Sequence, residues 1–270
     1  MTKQLFLTCK GEIKKQQKNY YNSWSNFISL LIWPVLIFLS TYYVYLSFDI
    51  TLLKQYGINS NHDLMIFLVI GALGYNSFFS MVQGAFQILN ERENGTLEIV
   101  YSTPASRMGL LYGRALGGLF QSIWMFSLFF LYIIFFKDSL TIHRLFVIII
   151  SYIILIVSST IWGGFINILF ILTRDANYLF TICDEPMNFF SGTKIPTLAF
   201  PMWAKIISAI FPLTYCLSIM RNLIMTTNLD SILTALYKLS FSLCTIIIIT
   251  YLLSVYSEKR NRKTGNLQLY

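Results

Sequence analysis

Charge is what this sequence has least of. Asp, Glu, Lys and Arg make up 12% of the 270 residues, against 56% hydrophobic ones, and a soluble domain carries about twice that charged share. The hydrophobic residues are gathered into long blocks rather than spread at core spacing. That excludes a soluble globular chain and indicates an integral membrane protein. Cysteine is sparse too: Cys9, Cys183, Cys216 and Cys244 show no metal-ligand spacing and fall at different depths, so no disulfide framework is expected. The two histidines, His62 and His143, lie in separate short polar loops, which argues against zinc or haem; no metal is expected. No Gly-x-x-x-x-Gly-Lys-Ser/Thr run occurs, so the chain has no loop of its own for cradling ATP phosphates.

The charge that remains is mostly basic and sits at the ends. The formal net charge is +8; Lys3, Lys10, Lys14, Lys15 and Lys18 precede the first hydrophobic run, and Lys259, Arg260, Arg262 and Lys263 follow the last. Basic residues flanking spans mark the cytoplasmic face and meet anionic lipid headgroups. No basic groove interleaved with aromatics is present, so nucleic acid is not an expected partner. Residues 1–24 are polar, with no cleavable signal peptide expected. They end in Tyr20, Tyr21 and Trp24, ring types that favour the headgroup region. Leu5, Phe6, Cys9 and Ile13 form a sparse apolar stripe, compatible with an interfacial helix without requiring one.

Six hydrophobic runs are expected to form spans, at about residues 27–48, 64–89, 115–136, 145–172, 177–191 and 233–256. Six crossings return both basic ends to the cytoplasmic side, whereas counting residues 202–225 as a seventh would put the basic tail outside. Pro34 is expected to kink the first run. In the second, Asn76, Ser80, Gln83 and Gln87 recur at steps of four, three and four, which places them on one helical face. Such a stripe serves either hydrogen bonding between helices or the wall of a translocation path. Gly113 and Gly117, like the small polar set Ser158, Ser159, Thr160, Gly163, Gly164 and Asn167, suit close helix packing.

Residues 90–114 are the most polar internal passage. Glu91, Arg92, Glu93 and Glu98 cannot lie in lipid, so this passage belongs at a membrane face. Gly95 suits a left-handed bend between two short helices, and Thr103 followed by Pro104 reads as the N-cap and first residue of the next. The expected result is a compact charged corner that a soluble partner could grip. The ordered set Glu91-Arg92-Glu93-x-Gly95-Thr96-Leu97-Glu98, then Thr103-Pro104, resembles the loop after the second span in permeases of type 2 ATP-binding-cassette (ABC) exporters. In that family the corner holds the coupling helix that docks on the ATPase subunit.

The fifth run contains Asp184-Glu185-Pro186 near its middle. An ionised acid at the centre of a span costs about 2.5–3.5 kcal/mol on insertion scales. The two must therefore be protonated, paired with a cation such as Arg174 or Arg221, or open to a watery cavity. Two acids here depart from most type 2 permeases, so the charge bears on substrate choice. Further on, Ser191-Gly192-Thr193-Lys194-Ile195-Pro196 and Phe211-Pro212-Leu213-Thr214-Tyr215 resemble the family's second signature, short re-entrant helices on the outer side.

The resemblance covers almost the whole chain. It implies an all-α integral membrane protein with six transmembrane helices, a cytosolic coupling helix between spans 2 and 3, and outer re-entrant helices between spans 5 and 6. As one permease domain it would comprise a basic arm (1–24), a coupling corner (90–114), an outer re-entrant region (192–225) and a basic cytosolic tail (257–270). It implies a plasma-membrane permease, not itself an enzyme, paired with a second copy or a paralogue. ATP and Mg would sit on a separate ATPase subunit. Glu91, Arg92, Glu93, Gly95, Thr96, Leu97 and Glu98 are the expected coupling residues; Asn76, Ser80, Gln83, Gln87, Asp184 and Glu185 are the expected substrate path. An amphipathic or hydrophobic substrate fits such a path: a drug, an antibiotic or toxin peptide, or a lipid-like metabolite. The competing reading is an ATPase-independent secondary transporter or channel with Asp184 and Glu185 as its proton or cation site.

Overall fold

The structure is a computed structural model that describes residues 2–21, 24–47, 54, 58, 60–136, 142–173, 175–226 and 229–264. Among them no strand occurs, and the chain is a succession of helices. Helices α1 (Thr2–Tyr21) and α2 (Trp24–Leu46) come first. Helix α3 (Asn61–Gln83) passes through a 3-10 turn, Gly84–Phe86, into α4 (Gln87–Glu93). Then come α5 (Thr96–Ser102), α6 (Arg107–Leu116), α7 (Leu119–Phe136), α8 (Ile142–Leu172) and α9 (Ala176–Phe190). A 3-10 turn (Thr197–Ala199), α10 (Met202–Ser208), α11 (Pro212–Arg221), a π-helical turn (Asn222–Thr226) and α12 (Leu229–Thr264) complete it.

Local chemistry sets several of these boundaries. Ser60 starts α3 with a reciprocal cap: its side chain accepts from the Asp63 amide, while the Asp63 carboxylate accepts from the Ser60 amide. Asp175 starts α9 by accepting from the Tyr178 amide. Pro212 occupies the first turn of α11, where its missing N–H is no loss.

Helix α3 is the axis of the fold. It packs against α2, α7, α8 and α11, and Leu64 to Leu73 and Phe78 to Val82 are almost all buried. Polar atoms on this buried helix find partners in its neighbours. Ser122 on α7 donates to Ser77 at 3.1 Å and shares a 2.8 Å hydrogen bond with Tyr152 on α8. The small set on α8 works as its composition suggests. A Cβ on Gly163 would meet the Met81 carbonyl at 2.8 Å, and Asn167 donates to the Leu111 carbonyl at 3.2 Å. Helix α12 lies at the periphery against α8 and α11, with Tyr237, Phe241, Tyr251 and Leu252 exposed where lipid would solvate them.

Four helical stretches among the described residues are long and apolar enough to cross a bilayer: Asn61–Glu93, Arg107–Leu131, Leu145–Leu172 and Leu229–Arg260. A bent pair, Met202–Ser208 with Pro212–Met225, folds back at 96° and raises the number to five if it is one span. This is fewer than the six expected. Helix α9 has 15 residues, bounded by its Asp175 cap and the turn at Ser191. At 1.5 Å per residue it reaches about 22 Å, short of the hydrocarbon thickness. Helix α2 runs through Pro34 as one helix, Trp24–Leu46. The 96° bend falls where the proline-rich outer region was expected to break the hydrophobic run, with Pro212 at the start of its second arm.

The third span begins earlier than its hydrophobicity suggests. Gly113 and Gly117 do pack closely, but against the amphipathic arm rather than another span. A Cβ on Gly113 would lie 2.9 Å from the Glu12 Cβ, and one on Gly117 would lie 2.8 Å from the Gln16 Cβ. Helix α1 therefore lies along α6. It buries Glu12 and Gln16 against the protein and leaves Leu5, Phe6 and Leu7 exposed.

Candidate functional site

The corner is built as two short helices meeting at Gly95, whose φ of +68° is a left-handed conformation that glycine adopts without strain. The restart expected at Thr103-Pro104 falls three residues later. Ser106 is the N-cap of α6, accepting from the Gly109 amide, while the Thr103 hydroxyl turns back to donate to the Val100 carbonyl at the end of α5. Two capping hydroxyls lie within four residues, and the one followed by an open run of helix formers wins.

The expected coupling residues divide into two sets. Glu91, Arg92 and Leu97 point inward and are buried, whereas Glu93 and Thr96 are exposed and Glu98 is half-buried. Glu91 accepts from Lys15 of α1 and, at 2.5 Å, from Arg114 of α6; Arg114 also lies 3.5 Å from Glu12. Two acids and two cations thus join α1, α4 and α6. Arg114 is 1% exposed, and a buried guanidinium is tolerable only with such counter-charges. Arg92 donates to the carbonyls of Phe170, Ile171 and Thr173 at 3.0, 3.2 and 2.9 Å. These are among the orphan acceptors at the C-terminal end of α8, where a cation also meets the negative end of the helix dipole. What remains outward on α5 is Ile99, an isoleucine 66% exposed, followed by exposed Ser102, Thr103 and Pro104. Under this knob, Arg107 donates to the Tyr101 carbonyl at 2.7 Å and sits over its ring. Burial pushes the Tyr101 phenol above its ordinary range, so it stays neutral.

Of the expected path residues, Asn76 and Gln83 on α3 and Gln87 on α4 border two hollows. The outer one, a cleft of about 380 Å³, is bounded by Trp33, Tyr75, Asn76, Asn188 and Lys194. The inner one, about 860 Å³, is bounded by Lys15, Phe79, Gln83, Gln87, Glu91 and Phe180. The stripe divides between the hollows and the helix's own backbone. Asn76, Gln83 and Gln87 line hollows, while Ser80 is fully buried and donates to the Ser77 carbonyl within its own helix.

Asp184 and Glu185 part company. Asp184 is 5% exposed and accepts from the Tyr75 hydroxyl at 2.5 Å; Glu185, the next residue round α9, is exposed. Of the alternatives for these acids, pairing with Arg221 does not form. That guanidinium donates to the carbonyls of Gly192, Thr193 and Phe67 and stacks on the Phe67 ring. Arg174 lies outside the described residues.

Sequence reasoning missed Glu12, Lys15, Arg114 and Tyr75. One signal was available for Tyr75: Leu68, Ala72, Tyr75 and Phe79 follow helical spacing one step beside the amide stripe. The basic arm carried a lone acid, Glu12, whose purpose no local pattern revealed.

A comparison with curated proteins finds no match. The family model of the ABC-2 type transporter matches residues 8–225, which takes in the arm's ion pairs, the corner, both hollows and the bent outer pair. By that match over most of its length, this helical membrane chain belongs to the ABC-2 type transporter family.

Proposed function

We propose that the chain is the transmembrane permease of an ABC exporter and that α4 and α5 are its coupling element. Membership implies an ATPase partner and pairing of two permeases. In this reading ATP and Mg bind the partner, and the chain itself catalyses nothing. The carrying observation is the corner: a rigid base of buried ion pairs and carbonyl hydrogen bonds beneath one projecting apolar residue, Ile99. An exposed isoleucine on a charged cytosolic helix is the kind of knob that fills a pocket on a soluble subunit.

Six crossings with both termini cytoplasmic remain the preferred layout, with α2 and α9 joining the four long stretches and the bent pair as the re-entrant region. The arrangement of α9 supports pairing. Glu185 shares its outward face with exposed Tyr178, Ile182 and Phe189, and a carboxylate there is costly against lipid. A second permease, or a watery path between the two, relieves that cost. The substrate is an amphipathic or hydrophobic molecule moving from the inner hollow past Phe79 and Phe180 to the outer cleft.

The test is a pull-down of the tagged chain from membranes, with ATPase activity assayed. Ile99→Asp combined with Glu98→Arg is expected to lose the ATPase while inserting normally. Full retention of a coupled ATPase by that variant would remove α5 from the mechanism. A secondary transporter is favoured by one observation, the buried Asp184. That reading requires proton or cation flux in liposomes containing this chain alone.

A further inference from the structure

Helix α9 runs from one hollow to the other. Phe180, Asp184 and Asn188 stand four residues apart on one face of α9. Phe180 lines the inner hollow and Asn188 the outer cleft, so Asp184 lies at the level that separates them. Across from it on α3 stand Tyr75, which donates to Asp184, and Phe79, whose ring meets that of Phe180 at 5.8 Å. Phe86 closes on Phe180 from below at 4.9 Å.

The charge balance of the interior is uneven at this level. Arg114 and Lys15 are matched by Glu91 and Glu12, and Arg92 and Arg221 are spent on backbone carbonyls. Asp184 has only a neutral hydroxyl, and among the described residues its Oδ1 is buried with no hydrogen-bond partner. A carboxylate in that position, with three aromatic rings on its inner side, has the chemistry that receives a lipophilic cation: charge for the head and ring faces for the body.

We propose that Asp184 is the recognition point for a lipophilic cation, which replaces the Tyr75 hydroxyl on its carboxylate while passing from the inner hollow to the outer cleft. Tyr75 then acts as a latch that holds the acid when no substrate is there. The direction of travel rests on the permease reading; the binding step does not. No bond is made or broken, only a hydrogen bond exchanged for an ion pair.

Binding of tritiated tetraphenylphosphonium to the full chain in nanodiscs tests this without an ATPase. Saturable binding is expected. Asp184→Asn should weaken it at least tenfold, while Glu185→Gln and binding of neutral triphenylphosphine oxide stay within twofold. Tyr75→Phe, which frees the carboxylate, should tighten cation binding several-fold and carries the test if Asp184→Asn proves misfolded by size-exclusion chromatography. No saturable binding, equal affinity in Asp184→Asn, an equal loss in Glu185→Gln, or weaker binding in Tyr75→Phe would each overturn the assignment. If no ATPase co-purifies but these shifts appear, the permease reading fails and the cation site stands.

Discussion

Arg92 and Arg114 are both buried, but they are answered by different chemistry, and their substitutions should differ accordingly. Arg92 meets three backbone carbonyls at the end of α8. Arg92→Met leaves those acceptors unsatisfied and should lower stability by about 2–4 kcal/mol, read as a drop in thermal midpoint of the solubilised chain. Arg92→Lys should recover less than half, because one ammonium cannot span carbonyls that a planar fork reaches together. Arg114 meets carboxylates instead, so Glu91→Gln should cost about 3 kcal/mol by leaving buried charge uncompensated. Glu93, two residues on and exposed, should tolerate Gln within about 0.5 kcal/mol. Equal effects at Glu91 and Glu93 would contradict the division of the motif into inner and outer halves.

Among elements, the contact of α1 with α6 depends on the absence of side chains at Gly113 and Gly117. Gly113→Leu should push α1 away, since even its Cβ would lie 3.0 Å from the Cys9 Cα. The native Cys9 thiol, half-buried now, should then react with maleimide several times faster, as mass spectrometry of the labelled peptide can show. An unchanged rate would mean the arm is held some other way. By contrast, a Cβ on Gly95 would meet nothing within 4 Å, so Gly95→Ala should cost only the roughly 1–2 kcal/mol of a left-handed residue. The Gly95 bend, the polar side of α3 and the packing role of Gly163 and Asn167 were legible in the sequence because each is a matter of local spacing. The Lys15–Glu91 and Tyr75–Asp184 contacts were not, since they join residues 76 and 109 positions apart. The Ser106 cap was misplaced at Thr103 because both hydroxyls satisfy the same local rule.

At the scale of the molecule, α3 and its α4 extension are gripped at both ends by unrelated parts of the chain. The inner end is held by α1, α6 and the close of α8; the outer end is held by the turn at Gly192 and Thr193 and by Arg221. That turn sits so close to α3 that a Cβ on Gly71 would fall 1.9 Å from the Thr193 carbonyl oxygen. Gly71→Ala should therefore displace the outer turn and slow transport while leaving the ATPase bound; normal transport would show the turn to be a passive cap. The inner grip also differs from the outer one in when its parts are made. Glu12, Lys15, Glu91 and Arg114 all lie within the first 114 residues, ahead of α8 in the chain. Arg221 comes more than a hundred residues later. A nascent chain arrested after α7 should already crosslink position 15 to position 91, and failure to do so would place this joining after release. The ion-paired part of the corner then forms while the rest of the chain is still being made, and the grip of Arg221 on the far end of α3 closes last.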